Sequence, residues 1–205
     1  MPDLVYPSSN EWGIPDLMLQ PCEGPPPLVA PFVVWGSIAR RRSVSGTFCF
    51  YTDDYRFTSL WERPDLVVNT QCAAVVEPNF SVFAETPRAV AAWAVYRKRW
   101  LARYWQTKGI TVWVDLHGPI DDLALAGVPK GWQRWATVGT TPDELTEAAC
   151  TALAWSAGAP STLLVYSGDA SVREWCAGRE GVIHVAHRSA SRHRPGEGTR
   201  RKESQ

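Results

Sequence analysis

The stretch from Cys72 to Leu116, CAAVVEPNFSVFAETPRAVAAWAVYRKRWLARYWQTKGITVWVDL, constrains the fold more than any other part of the chain. Ala73 to Val76 is a short apolar run that ends on Glu77-Pro78. Ser81 to Thr86 reads as loop, with Thr86 as an N-cap and Pro87 at the first helical position, where its missing N–H costs nothing. Arg88 to Lys108 contains no Gly or Pro and is rich in Ala, Arg, Leu and Trp, and Gly109 stops it. Ile110 to Val114 is a β-branched run that ends on Asp115. Strand, long helix and strand make a βαβ unit, whose right-handed crossover sets the two strands parallel.

The same alternation runs along the rest of the chain. Further strands are expected at Pro31–Gly36, Gly46–Thr52, Trp135–Gly139, Thr162–Tyr166 and Val182–Ala186. Short helical pieces are expected at Tyr55–Trp61, Pro64–Asn69 and Ala170–Ala177. Thr141-Pro142-Asp143-Glu144 opens a helix that runs to about Ser156. The fold class is therefore α/β: a single domain with a mainly parallel sheet of about seven strands, as an open sheet or a small, incomplete barrel, with helices packed on it. Residues 1–31 form a Pro-rich N-terminal arm or lid, 32–186 the α/β domain, and 187–205 a disordered basic tail.

Charge separates the tail from the body. The chain of 205 residues is neutral overall, but the segment from His187 carries a net charge of +4, which leaves −4 on the rest. Bulk charge thus excludes a uniformly basic nucleic-acid binder. The five cysteines are an odd number without a CxxC pair, and Cys49, Cys72 and Cys150 lie in apolar runs. Buried free thiols in a reducing compartment are expected. No apolar run approaches a membrane span, and the expected location is the cytoplasm, with no membrane partner.

Chemistry is expected where acids follow strands, because the strand C-termini of a parallel sheet share one edge and ligands bind there. Asp53, Asp54, Glu77, Asp115 and Asp169 all stand in such positions. Asp53, Asp54, Glu77 and Asp115 are the candidate catalytic groups. Asp53 and Glu77 are the candidate ligands of a divalent ion, Mg²⁺ or Mn²⁺, that would offset their repulsion. Asn79, Ser81, His117, Ser167 and Asp169 are the candidate pocket residues. Asp also favours N-caps and turns after a strand, so a structural role stands beside each assignment. GxSxG, GxGxxG and the P-loop sequence are absent.

Basic residues give a second set. Arg40, Arg41 and Arg42 form one cluster, and Arg200 and Arg201 lie in the tail. On the long helix, Ala89, Trp93, Tyr96, Trp100 and Tyr104 make a stripe, and Arg97, Lys98, Arg99 and Arg103 fill other faces. Such interleaving suits nucleic-acid strands, with aromatics stacking on bases. It also suits a core-facing helix flanked by Arg stems.

The segments FYTDDYRF, Trp61, EPNFSVF, ETPRAVAAWAVYRKRWLARYWQTKGITV, LAGVPKGW and LLVYSG resemble, in order and spacing, the bacterial and phage family known as domain of unknown function 4417. The resemblance spans about Phe48 to Gly168 and leaves out the N-terminal arm and the tail. It marks Asp53, Asp54, Phe57, Trp61, Pro78, Phe80, Ser81, Pro87, Tyr96, Arg97, Trp105 and Gly109 as motif positions. It implies Asp where this chain has Asn79, and a Trp-containing segment where it reads VDLHGP. It places the protein on phages or other mobile elements and implies no activity. Three functions stand open. The first is a nucleic-acid-associated accessory of replication, recombination or regulation, binding DNA or RNA through Arg40, Arg41, Arg42, Arg97, Arg200 and Arg201. The second is a carboxylate-site enzyme, metal-dependent and hydrolytic. The third is an interaction module without catalysis, whose partner is a host or phage protein.

Overall fold

The computed structural model describes residues 4–36, 44–139 and 141–187. Seven strands form one sheet: β1 (Phe32–Val34), β2 (Thr47–Cys49), β3 (Ala74–Val76), β4 (Thr111–Asp115), β5 (Arg134–Val138), β6 (Thr162–Ser167) and β7 (Val182–Ala186). Every adjacent pair is parallel, and the spatial order is the chain order. Helices α1 (Asp65–Val68), α2 (Arg88–Thr107), α3 (Pro142–Trp155) and α4 (Ala170–Cys176) lie in the crossovers, and two 3-10 turns, Asp54–Arg56 and Thr58–Trp61, follow β2.

Sequential parallel order is that of a barrel, and the sheet curls into a half-barrel. In a flat sheet β1 and β6 would stand roughly 24 Å apart, at ~4.8 Å per strand. Yet the Phe32 ring on β1 and the Tyr166 ring on β6 have centroids 5.8 Å apart. The curl is therefore toward the face that carries Phe32, Cys49, Ala74, Val76, Trp113, Ala136 and Leu164, which pack as one apolar cluster. The other face presents Phe48, Val75, Val112, Val114, Trp135 and Val165 to Leu101 and Trp105 of α2, Leu145 and Ala148 of α3 and Val172 of α4. Period-2 alternation places each set on its own face. Both faces are covered, so the strands read as continuous apolar runs.

Local chemistry sets the helix ends. Thr141 accepts from the Glu144 N–H, with Pro142 at the first position. At α2 the expectation differs in detail. Thr86 does not cap the helix; its hydroxyl accepts from the Phe83 N–H and closes the preceding turn. Gly109 follows the helix with φ 80°. Among the described residues no helix is long and apolar enough to cross a membrane. Cys150 departs from the expectation of burial: it lies on the outer side of α3 and is exposed, while Cys49, Cys72 and Cys176 are buried.

The N-terminal arm is a strap. The Leu4 carbonyl accepts from the Trp100 indole at 2.8 Å, and the Tyr6 ring packs on the same indole. Gln106 of α2 exchanges two hydrogen bonds with the Met18 backbone. The chain then crosses the N-terminal ends of the strands, where the Gln20 side chain bonds Ile110 and Val112 and the Cys22 N–H bonds Gln133. These contacts seal the edge opposite the strand C-termini and leave the C-terminal edge to the βα loops. The strap also needs Gly46. A Cβ there would lie 2.0 Å from the Pro31 carbonyl oxygen and 2.6 Å from its nitrogen, both backbone atoms that cannot swing aside. We expect Gly46→Ala to cost about 1–3 kcal/mol, the usual range for forced overpacking, read as a lower midpoint in urea unfolding.

Candidate active site at the strand C-terminal edge

Glu77 follows β3 and Asp115 ends β4, and the parallel register makes them neighbours at the centre of the sheet. The Glu77 N–H donates to the Trp113 carbonyl, continuing the ladder, and the Asp115 N–H donates to Glu77 Oε2 at 3.2 Å. Both carboxylates are buried, at 0% and 1% exposure. Helix α2 crosses over them and supplies two consecutive cations. Arg99 pairs with Glu77 and donates to the carbonyls of Ala126 and Ala124, which ties the loop after β4 to the helix. Lys98 Nζ lies 3.8 Å from Asp115 Oδ2 and donates to the Asp115 carbonyl at 3.1 Å. Tyr51, two residues past β2, donates its hydroxyl to Asp115 Oδ1 at 3.1 Å, and the His117 N–H donates to the same oxygen.

The two pairs differ. The Arg99–Glu77 pair is held by two further loop carbonyls and is a fixed joint. The Lys98–Asp115 pair is looser and more perturbed. Burial pulls the Lys98 ammonium below its usual range, and the neighbouring Asp115 charge offsets that only in part. Burial likewise pushes the Asp115 carboxyl up, against the pull of Lys98. The Tyr51 ring is half-buried, but its hydroxyl end is enclosed, and burial with Asp115 nearby holds it well above the usual phenol range. Among the described residues Glu77 Oε1 and Asp115 Oδ2 are buried without a hydrogen-bond partner. Two orphaned carboxylate oxygens, each costly to bury, at one strand edge are unusual for a purely structural joint.

Beside this cluster lies a pocket of about 380 Å³ lined by Asn79, Ser81, Leu116, His117, Glu144 and Glu147. Asn79, Ser81 and His117 are thus brought together, as candidates of one pocket. Ser167 and Asp169 are not among its lining residues. Ser167 Oγ accepts from the Asp169 N–H, and Asp169 caps α4 by accepting from the N–H groups of Ser171 and Val172. Of the four candidate catalytic acids, Glu77 and Asp115 are joined and the other two are not. Asp53 is exposed and pairs with Arg56. Asp54 accepts from the Ser81 N–H and hydroxyl, both at 3.1 Å, and ties the loop after β2 to the loop after β3. The suggested metal pair, Asp53 with Glu77, is split between an exposed turn and a buried ion pair. Among the described residues no group of three or more His, Cys, Asp and Glu side chains could hold a metal ion.

Arg97 lies over the Phe80 ring at 4.0 Å, and Arg40, Arg41, Arg42, Arg200 and Arg201 lie outside the described residues. The aromatic stripe of α2 packs largely inward. Trp61 meets Trp93, Tyr96 and Trp100 edge-on, and Tyr6 covers Trp100; Trp93 itself stays exposed at 39%. Most of the marked aromatic positions are one packed set: Phe57 touches Phe50 and Phe80, and Trp105 stacks on Phe50. Lys98 and Arg99 are the groups sequence reasoning missed. It set them only on faces other than the aromatic stripe, and both are buried. The helix carries no Asp or Glu, and that was the available signal: any acidic partner had to come from elsewhere.

Fold and site together define an open parallel (β/α) half-barrel with a buried ionic cluster at the C-terminal edge of its central strands. The family model described as domain of unknown function (DUF4417) matches residues 6–131, and the chain belongs to that family. The match takes in the N-terminal strap, which the resemblance in the sequence had left out, and stops before β5, so LLVYSG lies beyond it. The chain is similar to the Gene 1 protein of Mycobacterium phage D29, 35% identical over 62% of this chain and 48% of the relative. It is also similar to the Gene 1 protein of Mycobacterium phage L5, 33% identical over 62% of this chain and 57% of the relative. The chain thus spans about half the length of the curated relatives it matches. No solved structure matches it.

Breaking the fixed joint leaves a buried charge alone. Arg99→Met should cost about 3–5 kcal/mol, measured by urea unfolding, because Glu77 then stays buried without its counter-ion. A loss below 1 kcal/mol would show that the pair carries little of the fold.

Proposed function

We propose that this phage-family protein is an acid–base enzyme acting on a small polar molecule at the C-terminal edge of the half-barrel, with Lys98, Asp115 and Tyr51 as its proton-handling groups. The observation that carries this is the facing of Lys98 and Asp115, both buried, at 3.8 Å, each pushed toward its neutral form. Shifts in these directions narrow the gap between the amine and the carboxyl, and a catalytic acid and base work best when their values approach the working pH. Tyr51 stays protonated and presents its hydroxyl to Asp115, and Arg99–Glu77 holds the strand ends and helix in place. A strand C-terminal edge in a parallel α/β fold is where ligands bind.

The nucleic-acid-associated reading rests on the basic stretches Arg40–Arg42 and the tail. A DNA-retention assay at low salt, with and without residues 187–205, addresses it separately. The interaction-module reading would need a broad exposed aromatic patch; Trp100, Trp105, Trp113, Trp132 and Trp135 are fully buried, while Trp12, Tyr55, Phe83 and Trp93 are exposed.

The test removes the charges but keeps the shape. In Lys98→Met with Asp115→Asn, Met matches the Lys stem and Asn keeps an acceptor for Tyr51 and His117. Buried ion pairs contribute little net stability, so the double variant should lie within about 1 kcal/mol of the parent or above it. A loss of more than about 3 kcal/mol would make the pair structural and overturn the proposal. Infrared titration gives a second check. A raised Asp115 value means the folded protein holds this proton at a pH where ordinary carboxylates are ionised. A protonated-carboxyl band should persist there in the parent and vanish in Asp115→Asn. The sign for stability follows: the folded state binds the proton where the unfolded chain does not. Asp115's contribution therefore improves as pH falls from neutrality through its raised value.

A further inference from the structure

We infer that Lys98 is a Schiff-base lysine, whose amine captures the carbonyl carbon of a small aldehyde or ketone. This rests on the acid–base reading above and names the substrate class for the same site.

Space comes first. Lys98 lines a small chamber of about 50 Å³, together with Ala91, Ala94, Val95 and His117, and the exposed Arg88–Asp121 pair stands at its wall. The chamber and the larger pocket share Val82, His117 and Pro119 as lining residues, so the two adjoin. The chamber has room for a few waters or one small polar group. A carbonyl entering from the pocket would meet Lys98, with the rest of the molecule left among Asn79, Ser81 and His117.

Hydrogen bonding comes second. An ammonium has three protons to place. Among the described residues Lys98 Nζ has one acceptor, the Asp115 carbonyl oxygen at 3.1 Å, and Asp115 Oδ2 at 3.8 Å is beyond hydrogen-bond range. A neutral amine fits this environment better, with its lone pair turned to the chamber. Among the described residues Asp115 Oδ2 has no hydrogen-bond partner, while Oδ1 accepts from Tyr51 and His117. A carboxylic acid with its proton on Oδ2 fits that asymmetry. The groups around Lys98 and its chamber are Asp115, Glu77, Arg99, Tyr51, His117, Arg88 and Asp121; Arg99 neutralises Glu77, and Arg88 neutralises Asp121.

The step balances. The Lys98 nitrogen adds to the carbonyl carbon, the C=O π pair moves to oxygen, and a proton passes from nitrogen to that oxygen, giving a carbinolamine. Asp115 then gives its proton to the hydroxyl, which leaves as water. The nitrogen lone pair forms the C=N bond. The product is a protonated imine beside an ionised Asp115, and no oxidant or reductant is needed. Burial of the neutral amine is what makes it a nucleophile near neutral pH.

The test uses the full-length protein, folded, with glyoxylate or acetaldehyde at pH 7, trapped by borohydride and mapped by peptide mass spectrometry. The chain has four lysines: Lys98, Lys108, Lys130 and Lys202. Lys108 and Lys130 are exposed, so simple accessibility favours them. We expect Lys98 to be alkylated at least about ten times faster than either, and the preference to disappear when the protein is unfolded in urea. Asp115→Asn should slow capture at Lys98 and leave Lys108 and Lys130 unchanged. Capture at Lys98 no faster than at Lys108 and Lys130 overturns the inference. It would leave the acid–base reading to the double-variant and infrared measurements, which do not involve an aldehyde.

Discussion

The structure depends on one crossing: the middle of α2 laid across the C-terminal ends of β3 and β4. That crossing puts Arg99 on Glu77 and Lys98 on Asp115, with all four side chains buried. Arg99 also reaches two carbonyls of the loop after β4. One side chain thereby joins the helix, the end of β3 and the loop that bounds the candidate pocket. A helix that slipped by one residue would take both Lys98 and Arg99 off their carboxylates. The cluster therefore fixes register more than it adds stability, since desolvation consumes most of what the ion pairs return.

Around that crossing the molecule divides its two strand edges by role. The N-terminal edge is closed by the strap, through Gln20, Gln106 and Gln133, whose amides bond backbone groups that would otherwise be stranded. The C-terminal edge is left to loops joined by side chains: Asp54 to Ser81, Arg99 to Ala124 and Ala126. Rigid support at one edge and side-chain-held loops at the other is the arrangement a binding site needs. The curl of the half-barrel completes it, bringing Tyr51 over Tyr166 and setting the Tyr51 hydroxyl on Asp115.

Much of this was legible in the residues, for identifiable reasons. All seven strands and the main helices were marked by local signals. Thr141-Pro142 opens α3, Gly109 ends α2, and β-branched runs such as Ile110–Val114 end on acids. Such signals act within a few residues, so the sequence alone carries them. The Thr86 cap failed because two local options competed, and the hydroxyl closed a turn with Phe83 instead. The carboxylates were half legible. Glu77 and Asp115 follow strands that become neighbours, while Asp53 and Asp169 follow strands equally well and serve a surface pair and a helix cap.

What the sequence by itself determined is the run of elements, the parallel sheet that βαβ crossovers require, and the edge where acids would collect. Tertiary structure alone decided that the sheet curls into an open half-barrel, because curl comes from the stagger between strands and not from any one of them. It also decided which cations are buried. Arg97, Lys98 and Arg99 are consecutive and chemically alike, and only the docking angle of α2 separates them. One stacks on Phe80, one faces Asp115 and one is locked to Glu77. No sequence period encodes that angle, because it follows from how the Phe50, Phe57 and Trp105 rings pack beneath the helix.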